Sequence, residues 1–300
     1  RTEPQREATI LRGAVIGDFT DQPPALHRDL IAVGAPRPGS SSGMRAWQVA
    51  GTPLGLDTVP TDGIVANGFA DCTSSGVCVR NAEYLAFPIA AGHDVVLVVD
   101  RAQPARAMLF DPAESTSGIS KTEISILTQG LPSGAVVRSL HAADVDGDGA
   151  LEMIASFQSA DAGEVRVCTM SAGVPQACDD LTPVVSAIAP SVTACIDAAP
   201  GVLHDATEAA PAGVDLVVVC RDGATTSLFR VRRDGDYVVT PLAAQAADIT
   251  SIRLDDVTGD GLDDVVAMVG TGGSQSLIVF TQCSSRERGT CQRAAAGEGP

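Results

Sequence analysis

Nine residues near the middle of the chain carry its densest chemistry: Asp144-Val145-Asp146-Gly147-Asp148-Gly149-Ala150-Leu151-Glu152. Hard cations such as calcium take six or more oxygen ligands at once, and alternate residues of a tight loop can aim theirs at one centre. Asp144, Asp146 and Asp148 stand at positions 1, 3 and 5 of such a loop, Gly149 permits the sharp turn, the carbonyl of Ala150 supplies position 7, and Glu152 at position 9 closes the shell. A second stretch repeats the scheme with Asp256, Thr258, Asp260, the carbonyl of Leu262, and Asp264. Thr258 places a neutral hydroxyl where the first stretch has a carboxylate, so weaker binding is expected there. An EF-hand would need a bidentate Glu at position 12 and flanking helices, but position 12 of the first stretch is Ala155, inside an apolar strand-like run. Asp-Gly loops are also good turns in their own right. Four carboxylates within nine residues, however, repel one another unless a cation joins them. A looser group, Asp18, Asp21 and Asp29, spans a longer loop containing Pro23-Pro24 and is a possible third calcium site.

Other candidates for chemistry are sparse. His27, His93, His141 and His204 sit in unrelated contexts, which favours packing or surface roles over catalysis. The sequence has no GxSxG elbow, HExxH helix or phosphate-cradling GxxxxGK[ST]. The run Gly39-Ser40-Ser41-Ser42-Gly43 reads as a flexible loop with nothing beside it to activate a nucleophile. A non-catalytic protein is therefore expected. Sugar faces usually stack on aromatic rings, and the chain has one Trp, two Tyr and seven Phe. Trp47, within MRAWQVAG, is expected to pack in a sheet rather than serve as a sugar platform.

Both acidic loops join apolar strand-like runs, and that arrangement recurs. Five times an apolar run ends near an Asp, a polar loop follows, and an acidic residue opens a second apolar run. These five loops run from Asp18 to Asp29, Asp71 to Asp94, Asp144 to Glu152, Asp197 to Asp215, and Asp256 to Asp264. Successive first aspartates lie 53, 73, 53 and 59 residues apart, which suits units of four short strands plus turns. In the second unit the expected first strand is IVANGFAD. Two further runs are expected after each second strand: EVRVCT and ACDDLTPVV in the third unit, and SLFRVRR and DYVVTPLA, joined through Asp234-Gly235, in the fourth. Helical periodicity is hard to find anywhere. Short, evenly spaced strands in repeated units favour radial repetition, a β-propeller, over a single sandwich. The expected fold is all-β, with four-stranded antiparallel blades and approximate units 10–66, 67–135, 136–190, 191–247 and 248–300 forming one propeller or propeller segment.

Strand–DxDGDGxxE–strand and DVTGDGLDDVVAMVG resemble the FG-GAP, or VCBS, repeats of integrin α-subunit propellers and many bacterial surface proteins. The stretch from Asp29 through Gly34, Ala35 and Pro36 carries the GAP signature. The resemblance touches all five units and is close in the third and fifth. It implies four strands per blade, a calcium loop joining the first two, and use in adhesion, ligand binding or scaffolding. Integrin propellers have seven blades, so between five and seven are expected here.

Composition narrows the partners. The net charge is −17, and phosphate neutralisation needs clustered Lys and Arg, so no nucleic-acid partner is expected; nor is adsorption to anionic lipid. No apolar run approaches the roughly 20 residues of a membrane span, so no membrane insertion is expected. Eight cysteines invite a disulfide framework: Cys72–Cys78, Cys168–Cys178, Cys283–Cys291, and Cys195 with Cys220 as the remaining pair. Other pairings remain open, and zinc is disfavoured because the chain has no CxxC pair. Disulfides imply an oxidising compartment. The chain opens on RTEPQRE and reads as a mature or excised segment of a larger secreted or surface protein. Its expected ligand is a protein or a glycan, met on loops around 36–45, 71–82 and 198–213. The alternatives are a lectin-like propeller and a non-catalytic domain of a secreted hydrolase or lyase.

Overall fold

The computed structural model describes residues 82–89, 93–104, 107–111, 129–131, 133–159, 162–203, 213–223, 225–245, 248–270 and 274–281, and, between residues 10 and 78, the backbone of the strands named below. The protein is all-β, built of sheets of two to four strands that are antiparallel apart from one short parallel pair, β7 with β8, and with one short helix among the described residues. In the first sheet β1 (Ile10–Gly17), β2 (Asp29–Ala35) and β3 (Arg45–Val49) lie in chain order. Two-residue strands follow: β4 (Gly51–Thr52) and β5 (Gly55–Leu56) pair with each other, β6 (Ile64–Val65) pairs with β3, and β7 (Phe69–Ala70) pairs with β8 (Val77–Cys78). The second sheet has β9 (Ala82–Pro88), β10 (Asp94–Asp100) and β11 (Ala107–Phe110) in the order β11-β10-β9. The third comprises β12 (Val136–Ala143), β13 (Glu152–Gln158), β14 (Gly163–Ser171) and β15 (Val174–Asp180), in that order. Helix α1 (Leu181–Ser186) leads to the fourth sheet, β16 (Val192–Gly201), β17 (Asp215–Asp222), β18 (Thr225–Asp234) and β19 (Asp236–Gln245). The fifth holds β20 (Ile249–Asp255), β21 (Asp264–Val269) and β22 (Ser276–Phe280).

Two expectations need correction. The partner of β10 is not IVANGFAD but β9, with Asp94 opposite Pro88 and Val98 opposite Tyr84. Ile64 and Val65 turn back to extend the first sheet instead. AEYLAFP has the β-prone residues and the length to serve as the strand. The second correction concerns LTPVV, which forms α1 rather than strand. Asp180 caps it by accepting a hydrogen bond from Thr182 N at 2.8 Å. Pro183 is tolerated because the first turn has no intrahelical N–H bond to lose, and Leu181 and Val185, one turn apart, are buried. The hairpin at Asp234-Gly235 forms as expected, with Gly235 at φ +70°. Cys168–Cys178 joins β14 to β15, and Cys195–Cys220 joins residues directly opposite on β16 and β17. The pairings Cys72–Cys78 and Cys283–Cys291 lie outside the described residues.

The chain divides into two compact units, Arg1–Leu140 with Met170–Ala177, and His141–Thr169 with Cys178–Pro300. In the first, β10 is buried from Val95 to Asp100; a continuous apolar run of this kind is what a strand covered on both faces requires. In the second, the alternation of β17 divides its side chains between two cores. Leu216, Val218 and Cys220 face Ile154, Val165 and Val167 of the third sheet, with Leu181 and Val185 of the helix completing that core. Val217 and Val219 face Ile249, Ile252, Val265, Ala267 and Val269 of the fifth. The third, fourth and fifth sheets therefore pack face upon face.

One face of the fifth sheet is the more exposed among the described residues. Met268 and Leu277, opposite each other on β21 and β22, are 39% and 67% exposed. The pairs at the same step of the fourth and third sheets, Val219 with Leu228 and Ser156 with Val165, are at most 1% exposed. Leu216 is fully buried, so Leu216→Ala should cost about 2–5 kcal/mol, whereas Leu277→Ala should change stability by no more than about 0.5 kcal/mol. Urea denaturation of the two variants measures both.

Candidate metal centre

The loop between β12 and β13 and the loop between β20 and β21 share one backbone. Gly147 and Gly149 have φ of +76° and +88°, and Gly259 and Gly261 have +77° and +85°. These left-handed values are open to glycine at little cost, and they curl each loop around its first aspartate. Asp144 Oδ1 accepts from Gly147 N at 2.6 Å and its Oδ2 from Gly149 N at 3.0 Å. Asp256 Oδ1 accepts from Gly259 N at 2.6 Å and Asp260 N at 3.0 Å, and its Oδ2 from Gly261 N at 2.8 Å. The last acid closes each loop from behind: Glu152 Oε2 accepts from Val145 N at 2.8 Å, and Asp264 Oδ2 from Val257 N and Thr258 N at 3.1 and 3.0 Å. Asp148 and Asp260 each accept from the N–H two residues on, that of Ala150 and of Leu262.

In the third-sheet loop one carboxylate oxygen each from Asp144, Asp146 and Glu152 lies within 4.8 Å of the others. Glu152 is 2% exposed. Burial pushes its carboxyl pKa up; the Val145 N–H pulls it down, and the charges of Asp146, Asp148 and Asp144 push it up again. The neighbouring positive charge is Arg233, whose Nη1 lies 3.6 Å from Asp146 Oδ2 and whose guanidinium also lies over the Tyr237 ring. One half-exposed guanidinium does not balance four carboxylates. An all-oxygen set with surplus negative charge suits a hard divalent cation, and an ionised carboxylate keeps acceptor capacity beyond the N–H bonds already made. The residues of this loop therefore fit the group expected of them. Asp148 and Ala150 are exposed on the loop, and Asp148 is not among the three converging carboxylates.

The fifth-sheet loop differs in charge. Hydrogen bonds from Gly261 N, Gly259 N and Asp260 N, and from the Thr258 hydroxyl, hold Asp256 below the usual carboxylate pKa. Asp264 is fully buried, and Asp260 Oδ2 is sealed from solvent and accepts no hydrogen bond among the described residues. Leu262 is 6% exposed and anchors the loop. The carboxylates here do not converge as those of the third-sheet loop do. Asp18 and Asp21 lie outside the described residues; Asp29 begins β2 opposite Gly17.

One group escapes a motif search. Asp215 opens β17 as Glu152 opens β13 and Asp264 opens β21, and it is fully buried. Burial acts to raise its pKa, but Arg230 Nη2 at 2.8 Å and Arg232 Nε at 3.1 Å outweigh that, and the value is lowered. The signal in the sequence is the alternation of Arg230 and Arg232 in SLFRVRR, which puts both on one face of β18. Among the histidines, His93 Nε2 is 3.0 Å from Asp111 Oδ1, and His141 lies in β12 with its pKa lowered first by burial and then by Arg253. His27 and His204 lie outside the described residues.

No protein-family model matches this chain, and no curated protein matches it significantly. Among the described residues no helix is long and apolar enough to cross a membrane.

Glu152 and Asp215 should respond oppositely to neutralisation. With EDTA present, Glu152→Gln removes a repelled, buried charge and keeps an acceptor for Val145 N, so the melting temperature should hold or rise; with millimolar calcium it should fall relative to wild type. Asp215→Asn leaves two arginines without their carboxylate and should cost about 3–5 kcal/mol with or without calcium. Thermal melts of both variants in the two buffers provide the check.

Proposed function

We propose that this chain is a calcium-binding, non-catalytic module of the FG-GAP/VCBS β-propeller type, acting outside the cytoplasm in adhesion, protein binding or scaffolding. The observation that carries this reading is the convergence of Asp144, Asp146 and Glu152 within 4.8 Å, with Glu152 buried, in a hairpin loop whose glycine geometry recurs in the fifth sheet. The arrangement of the sheets supports the propeller: strands run in chain order across the third and fourth sheets, and the third, fourth and fifth pack face to face. The two disulfides support an oxidising compartment.

In this reading Asp144, Asp146 and Glu152 hold one ion, with Asp148 and the Ala150 carbonyl completing its shell. Asp256, Thr258, Asp260, the Leu262 carbonyl and Asp264 hold a second, more weakly. A bound calcium supplies two positive charges that join carboxylates which otherwise repel. The loop residues preorganise the site: Gly147 and Gly149 fix Asp144, and Val145 N fixes Glu152. Ordering these loops locks the join between first and second strands, so calcium acts as a structural ion for whatever surface the loops present.

A ligand that binds only the folded state stabilises it by RT ln(1 + [L]/Kd), about 2.7 kcal/mol at a hundredfold excess over Kd. The melting temperature should therefore rise by several degrees between EDTA and millimolar calcium, and Asp146→Ala should remove most of that rise. An identical melt of the wild-type protein in both buffers would overturn the calcium reading.

A further inference from the structure

The two acidic loops do not touch the same residue, yet both touch the mouth of one hairpin. Strands β16 and β17 end their pairing at Gly201 opposite Asp215. On the β16 side, Val202 N donates to Asp263 Oδ2 at 2.7 Å and Asp263 N donates to the Val202 carbonyl at 2.9 Å, so this edge is clasped to the fifth-sheet loop. On the β17 side, Val214 N donates to the Asp144 carbonyl at 2.8 Å, so this edge is clasped to the third-sheet loop. Neither mouth glycine has room for a side chain. A Cβ on Gly213 would lie 2.3 Å from the Val145 carbonyl oxygen and 2.8 Å from that of Asp144. One on Gly201 would lie 2.7 Å from Asp263 Oδ2 and 2.4 Å from Leu254 Cδ2. The mouth needs no cation of its own, since Arg230 and Arg232 already neutralise Asp215.

Resting on the calcium reading above, we propose that the third-sheet and fifth-sheet loops bind calcium cooperatively, coupled through the mouth of the β16–β17 hairpin. The bistable element is the mouth itself, closed or frayed. Ordering Asp144 and Val145 around an ion fixes the backbone that Val214 and Gly213 rest on and so holds the Gly201–Asp215 pair closed. A closed pair presents Val202 to Asp263, next to Asp264, and the second loop then loses less freedom when it binds its ion. Coupling of this kind is reciprocal: each site must raise the affinity of the other by the same factor.

The test follows each loop separately in the full chain, by amide hydrogen exchange of residues 144–152 and 256–264 as calcium is titrated from EDTA. Asp146→Ala should raise the calcium midpoint of the 256–264 loop about fivefold or more, and Asp260→Ala should raise that of the 144–152 loop by the same factor. In a Gly213→Ala background, where the added methyl meets backbone and the clasp must move, both shifts should vanish while each loop still gains protection. Gly201→Ala, whose methyl meets the side chains of Leu254 and Asp263 and no backbone, is the second variant should Gly213→Ala fail to fold, and it should likewise abolish the shifts. Midpoints that ignore the distal substitution would overturn the coupling and leave the calcium sites standing. Shifts that survive both glycine variants would overturn the hairpin mouth as its route. Absence of calcium protection in either wild-type loop would overturn the calcium reading itself, a result distinct from the other two.

Discussion

A carboxylate at the head of a buried strand is the constraint on which the second unit is organised. Glu152, Asp215 and Asp264 each open the second strand of their sheet, and none is more than 2% exposed. An ionised carboxyl cannot remain so deep without compensation. The chain meets the requirement in different ways at the same step of the repeat. Asp215 draws on two guanidinium groups of the neighbouring strand. Asp264 takes two backbone N–H groups from its own loop. Glu152 takes one N–H and lies among the charges of Asp144, Asp146 and Asp148. A glycine-rich curl accompanies the two acids that take N–H groups from their own loops.

The same step also sets the packing. In β13 and β17 the strand that begins with a buried acid continues as a run buried on both faces, so successive sheets can stack through alternate side chains of one strand. Val217 and Val218 are adjacent in sequence yet belong to different cores. Helix α1 fills the margin of one of these cores, and the Cys195–Cys220 bridge lies within the same core. Charge neutralisation at the strand head and hydrophobic burial along its length are thus two ends of one element.

Much of this was legible in the residues. The acid-opened second strands, the two glycine-rich loops, the hairpin at Asp234-Gly235 and the pairs Cys168–Cys178 and Cys195–Cys220 follow from local pattern, because turn chemistry and period-2 burial are short-range properties. Four features were not. AEYLAFP pairs with β10, and β-propensity alone does not choose between two strand-like segments, because the partner settles the choice. LTPVV is helical because Asp180 caps it and a core receives Leu181 and Val185, a tertiary preference stronger than the β-propensity of its valines. The Arg230–Asp215–Arg232 cluster joins residues 15 and 17 apart across a strand pair, which only the register of β17 against β18 brings together. Asp146 and Asp148 look equivalent in the sequence, yet the curl turns Asp146 toward Glu152 and leaves Asp148 outside the trio.

The more exposed face of the fifth sheet has an energetic consequence. In a stack of repeats, stability is approximately the sum of each repeat's own contribution and its nearest-neighbour interfaces. The fourth sheet counts two such interfaces among the sheets of its unit, while the fifth counts one and leaves Val257, Met268 and Leu277 in water. Its share of the cooperative energy is correspondingly smaller. The acidic loop of that sheet, through the hydrogen bonds of Asp263 with Val202, ties the sheet with one such interface to the sheet with two.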